Sequence, residues 1–81
     1  MIAMKKTIEY YMSLPFSIVL TPLSADDGGG WLAEIPLLKG CITDGDSQIE
    51  ALAMIEDAKR GWLEVALENN EKIPEPEAHI A

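Results

Sequence analysis

Apolar and polar residues alternate along this chain with two different periods, and the switch between them divides it into elements. From Ile2 to Ser13 the apolar positions Met4, Ile8, Tyr11 and Met12 fall at offsets of four, seven and eight, one face of a helix. Pro15 holds Leu14 in extended geometry and closes that helix; a leader that orders only against a neighbouring molecule is the alternative. The period then drops to two. "FSIVLTPL" sets Phe16, Ile18 and Leu20 on one side and Ser17, Val19 and Thr21 on the other, in residue types that suit a pleated surface. Pro22 cannot donate to a ladder, so this strand ends there or lies at a sheet edge.

"SADDGGG" is a turn cluster, and "WLAEI" reads as a second strand with Trp31, Ala33 and Ile35 on one side. Pro36 and Gly40 bracket a short turn before "CITD", a third strand, and three such neighbours make an antiparallel meander. Helical period then returns. Ser47 is an N-cap with Glu50 three residues on, a capping box in which each side chain satisfies a backbone donor of the other. Leu52, Ile55, Ala58, Trp62 and Val65 predict one stripe facing the sheet. Glu56, Asp57, Lys59, Arg60, Glu64 and Glu68 lie largely off it. Gly61 weakens the middle of this helix by about 1 kcal/mol relative to Ala and suggests close approach to another segment. The helix runs to about Glu68, where Asn69-Asn70 tolerates left-handed geometry. Pro74 and Pro76 keep "KIPEPEAHIA" extended, with "AHI" as a short further strand. The fold class is therefore α+β: a three- or four-stranded antiparallel sheet with one long helix packed on it, plus a short N-terminal helix.

Composition narrows what such a domain can do. Eighty-one residues make one small domain. Fourteen acidic residues against six basic ones give a net charge of −8, which disfavours direct nucleic-acid binding and suits a basic partner. The single cysteine, Cys41, excludes an intrachain disulfide and a Cys-rich zinc site. With no long apolar run and no signal-peptide pattern, the expected home is the cytoplasm, without a membrane partner.

Catalytic constellations are sparse. The only imidazole, His79, is the third residue from the end, where a tail is a poor place to hold a base within reach of a nucleophile. Cys41 reads as a small hydrophobe at the start of a strand. Gly28 to Gly30 join two strands behind two aspartates, the wrong setting for a phosphate loop. Asp44, Asp46 and Glu50 crowd the mouth of the long helix. There, negative charge offsets the positive end of the helix dipole by roughly 0.3–1 kcal/mol, and "DGDSQIE" does not continue into a calcium loop. No catalytic residue, cofactor or metal ligand is assigned. The candidate partner-contact residues are Asp26, Asp27, Glu34, Asp44 and Asp46, with Trp31 as an aromatic anchor or, alternatively, a core residue.

The segment "GWLAEIPLLKGCITDGDSQIEALAMIEDAKRGWLEVALENNEKIPEP" resembles the HicB-like antitoxin family. The pattern is an aromatic strand ending in Glu34-Ile35-Pro36, a turn to Gly40-Cys41, then Gly45-Asp46-Ser47 opening a helix with Glu50, Ala51, Ala58, Trp62 and Leu67, then Ile73-Pro74-x-Pro76. Similarity extends over residues 7 to 76. The resemblance implies a partial ribonuclease-H-like sheet and helix over residues 15–76, preceded by the helix of residues 1–14 and followed by a tail at 77–81. It implies a non-enzymatic protein that neutralises a small basic HicA-type mRNA-cleaving toxin by occluding it. Many members carry a ribbon-helix-helix or helix-turn-helix segment past this point. This sequence stops at Ala81, as a short form or with a DNA-binding part missing or encoded elsewhere, so operator binding is not carried over. Two other functions stay open at this level: a small carboxylate- and metal-dependent hydrolase, and an oligomeric scaffold without a toxin partner. Open sheet edges and an apolar N-terminal helix lead us to expect a homo-oligomer, dimer or tetramer.

Overall fold

A computed structural model describes residues 6–77. Its elements are α1 (Ile8–Met12), β1 (Val19–Pro22), β2 (Trp31–Glu34), β3 (Ile42–Gly45) and α2 (Gln48–Glu68), with a single turn of 3-10 helix at Ala25–Asp27 between β1 and β2. The three strands form one antiparallel sheet in the order β1-β2-β3, and α2 lies across one face. This is the expected α+β architecture, with three strands among the described residues. The N-terminal helix is shorter than its apolar pattern: Thr7 caps it by accepting from the Tyr10 amide, and its first expected turns, with Met4, lie outside the described residues. The expected "AHI" strand and His79 also lie outside them. Among the described residues no helix is long and apolar enough to cross a membrane.

The first strand starts later than its alternation, at Val19 and not Phe16. Its register pairs Val19 with Glu34 and Pro22 with Trp31. Extending that register backward sets Ser17 against Pro36, which has no N–H to give, so the ladder stops. Phe16, Ile18 and Leu20 nonetheless pack on the core side, as the alternation predicts. Beyond β2 the chain makes two consecutive turns. Leu38 donates to the Ile35 carbonyl at 3.0 Å and Cys41 to the Leu38 carbonyl at 2.9 Å. Pro36 suits the first turn, and Gly40, at φ 85°, takes the left-handed position of the second. Together they drive Leu38 into the core, where it is fully buried with Ala33, Ile35, Ala51, Ile55 and Leu63. The Trp62 indole N–H donates to the Lys39 carbonyl at 2.9 Å and pins this double turn to α2.

Helix α2 corrects three expectations. Its buried positions are Ala51, Ile55, Lys59, Leu63 and Ala66, whereas Leu52 and Val65 are 39% and 55% exposed. The predicted stripe shares Ile55 with the real one but runs diagonally across the buried arc, from one flank at Leu52 to the other at Val65. Ala58 and Trp62 are half-buried beside the core. Lys59 was placed off the packed face, yet it is only 4% exposed. Its aliphatic stem packs inside while the ammonium donates to the Met12 carbonyl (3.4 Å) and to Glu56 (3.3 Å), and stands 5.9 Å above the Phe16 ring. The cation thus meets the C-terminal end of α1, which has no basic residue in its own last turn. Third, apart from the helix's own backbone, no atom of the described residues lies within 4 Å of where a Gly61 Cβ would stand, so no described segment makes the expected close approach there.

Both ends of α2 are closed. Ser47 Oγ accepts from the Glu50 amide at 3.1 Å, as expected, but the Glu50 carboxylate reaches one residue further back and accepts from the Asp46 amide, not from Ser47. At the other end Asn70 takes φ 56°. The Glu71 amide donates to the Ala66 carbonyl (2.8 Å) and the Asn70 amide to Leu67 (3.2 Å), a Schellman closure. The tail then buries Ile73 and brings Glu75 to α1.

Candidate partner-binding surface

The register places the carboxylates. Pro22, Trp31 and Gly45 stand in one row across the sheet, and Val19, Glu34 and Ile42 in a row three residues away. The β1–β2 loop, the end of β3 and the start of α2 therefore share one end of the molecule. That end holds Asp26 and Asp27 in the 3-10 turn, then Asp46 and Glu50, all exposed. Ser24 organises the loop: its hydroxyl donates to the Asp27 carboxylate at 3.0 Å and accepts from the Asp27 amide at 3.3 Å. Two glycines let the loop and the helix close on β3. A Cβ on Gly30 would stand 2.5 Å from the Gly45 carbonyl oxygen, and one on Gly45 would stand 2.5 Å from the Ala51 nitrogen.

Alternation across the ladders assigns faces. Ala33 and its partner Thr43 face α2, so the adjacent rows Thr21–Leu32–Asp44 and Val19–Glu34–Ile42 look out from the uncovered face. The six nominated residues thus divide. Glu34 and Asp44 share the open sheet face, Asp26, Asp27 and Asp46 share the sheet's end, and Trp31 points the other way and packs against the core. Sequence reasoning missed the apolar part of this surface. Val19 and Ile42, at 45% and 48% exposed, flank Glu34 on the open face. The alternation of "CITD" contained that signal for Ile42, since a side chain next to the buried Cys41 must face away from it.

On the flank of α2 beside β3 there is a trough of about 590 Å³. Its lining includes Gly40, Ile42, Ala58, Gly61, Trp62 and Val65. Cys41 contributes to one wall; it is buried, and burial pushes its thiol above the ordinary range, which disfavours the thiolate. Among the described residues no three His, Cys, Asp or Glu side chains converge as a metal site would require.

The pattern of the HicB-like antitoxins of bacterial toxin–antitoxin systems matches residues 16–80, which takes in the whole sheet and α2. The chain belongs to the HicB-like antitoxin family. A UPF0150 protein of Synechocystis sp. is 41% identical over 66 residues, covering 82% of this chain and 86% of that one. A UPF0150 protein of Thermoplasma acidophilum is 34% identical over 65 residues, 80% of this chain and 90% of its own. No solved structure matches. The family match begins at Phe16, so α1 lies before it. Several positions of the family pattern have clear physical roles in this HicB-like chain. Pro36 and Gly40 shape the double turn, Trp62 pins that turn, Gly45 admits α2, and Ser47 with Glu50 caps it.

Proposed function

We propose that this chain is the antitoxin of a pair and neutralises a small basic HicA-type mRNA-cleaving toxin by covering it, within the cytoplasm. The toxin–antitoxin role follows from family membership. What supports a basic partner is the disposition of charge: Asp26, Asp27, Asp46 and Glu50 at one end of the sheet and Glu34 and Asp44 on its open face, in a chain of net charge −8. These groups are exposed, Glu34 partly so, and fixed on short loops, strands and the first turn of α2. They attract a cationic surface over a Debye length and orient it before contact, while exposed Val19 and Ile42 between them supply apolar area for the dock. The protein's part is binding and occlusion, with no bond made or broken.

The test is co-expression with the product of the adjoining gene, followed by association kinetics of the purified pair. The wild-type chain is expected to restore growth. Reversing Asp44 and Asp46 together to Lys is expected to slow association about tenfold at low salt and to flatten its salt dependence. Growth arrest that the wild-type chain does not relieve would sink the antitoxin reading. Unchanged kinetics in the double reversal would remove these two carboxylates from the interface.

A further inference from the structure

The two edges of the sheet are not equivalent. The Leu23 amide donates to the Gly30 carbonyl at 2.9 Å, and the Ile35 amide to the Cys41 carbonyl at 3.0 Å. Because hydrogen-bonded pairs alternate along an antiparallel ladder, these two bonds fix which backbone groups look outward. On β1 the outward residues are Leu20 and Pro22, so one of the two outward positions has no N–H. A proline on an edge is a standard block against strand addition. On β3 the outward residues are Ile42 and Asp44, both with a free N–H and C=O, and β3 contains no proline. The trough of about 590 Å³ opens beside that edge, with Gly61 in its lining and no other described segment within 4 Å of where its Cβ would stand.

We infer that the outer edge of β3 receives one extended strand of the cationic partner, added antiparallel or parallel as a fourth strand, with an apolar side chain seated in the trough over Gly61. The inference rests on the antitoxin reading above and says where the toxin docks. A strand added to an edge gains main-chain hydrogen bonds for affinity and alternate side-chain positions for specificity. Here the side facing α2 meets Ala58, Gly61, Trp62 and Val65, which accept an apolar group. The side facing the open sheet lies beside Ile42 and Asp44, which accept an apolar and a cationic group two residues apart. Charge decides between a partner strand and a second copy. Asp44 stands on the edge strand and Glu71 on the trough wall. Lys39 is opposite in charge to Glu71 in that lining, and the chain around them carries a net charge of −8. A second copy brings the same carboxylates to this rim, and a basic strand neutralises them.

Backbone amide exchange by NMR, on the full chain free and saturated with the adjoining gene's product, reads this directly. In the free chain the Ile42 and Asp44 amides are expected to exchange fast and the Thr43 amide, already turned to β2, slowly. In the complex Ile42 and Asp44 are expected to slow at least about tenfold while Leu20, on the blocked edge, does not change. Gly61→Leu, at an open helical position, is expected to fold and to weaken the complex about tenfold or more by filling the trough. A saturated complex in which Ile42 and Asp44 still exchange fast, or in which Gly61→Leu binds as wild type, overturns the inference and leaves the antitoxin reading standing. Protection of those amides in the free chain that grows with its concentration assigns the edge to a second copy and overturns it too. If the wild-type chain forms no complex and restores no growth, the antitoxin reading itself is what has failed.

Discussion

Gly45 and Gly61 lie along the same seam, between β3 and α2, and their surroundings are opposite. At Gly45 an added Cβ would meet three backbone atoms: the Ala51 nitrogen at 2.5 Å, its Cα at 2.8 Å and the Glu50 carbonyl carbon at 2.9 Å. At Gly61 it would meet nothing within 4 Å. The N-terminal half of the seam is thus wedged shut, strand backbone against helix backbone, and the C-terminal half diverges into the trough. In one half glycine is needed for the fold to close. In the other it weakens the helix with no gain among the described residues, which is why the trough is the part of the seam that points to a partner.

The wedged half is the place to expect the largest effect. Gly45→Ala forces α2 away from the strand, because the atoms it meets are backbone and cannot rotate aside. The expected loss is about 3 kcal/mol, the upper end of what overpacking costs, and a large share of the total stability of a domain this small. Urea unfolding followed by tryptophan fluorescence measures it. A loss under about 0.5 kcal/mol, the size of an ordinary surface substitution, would mean that the seam is not wedged.

The open half is expected to respond with the opposite sign and a smaller size. Gly61→Ala adds a methyl group to empty space and removes the entropic penalty of glycine in a helix interior, so the chain gains up to about 1 kcal/mol. The same unfolding experiment reads it. A loss on this substitution would show that something occupies the trough in the isolated protein and would erase the contrast between the two glycines.

Much of the fold was legible because it is encoded locally. The Ser47 cap, the left-handed Asn70, the turn prolines and the two-residue alternation of "FSIVLTPL" and "WLAEI" each act within a few residues. What was not legible depends on partners distant in the chain. Lys59 reads as a polar surface residue until the carbonyl of Met12 and the ring of Phe16, more than forty residues upstream, are seen to receive its ammonium and stem. The buried stripe of α2 was misread for a related reason: a lysine was excluded from it, and the large apolar Leu52 and Val65 drew the line toward the flanks. Of the candidate surface, the acidic residues were visible in the sequence. Their division between an open face and a sheet end was not, because the register with β2 sets it. Gly61 and Gly45 are identical letters, and only the path of the helix across the sheet tells them apart.

The other flank of α2 sharpens the contrast, because there the C-terminal half is covered by α1 and fastened by charge. The Glu75 carboxylate accepts from the Lys6 ammonium at 2.7 Å and from the Tyr10 hydroxyl at 2.8 Å, tying the tail to α1. The Lys6 bond first, and the Tyr10 bond second, hold the Glu75 carboxyl below its usual value of 4.5. A carboxylate whose folded pKa is depressed adds stability above its unfolded pKa, and that stability fades as pH falls through the folded value. The clamp is solvent-facing, so its effect is small and screened by salt. Replacing Glu75 with Gln is therefore expected to cost a little at pH 7 and nothing once the medium is acidic enough to protonate the wild-type carboxyl. The two unfolding curves converge as pH falls below 4.5 and on through the depressed folded value, a fall that the linkage relation ties to this one group. Raising salt at pH 7 narrows the same gap. If the difference between the two chains did not shrink between pH 7 and the most acidic pH at which both stay folded, the clamp would owe nothing to charge. The covered flank would then hold by apolar packing alone, through Ile8, Met12 and Leu67 against the core, whereas the wedged seam on the β3 side closes backbone to backbone.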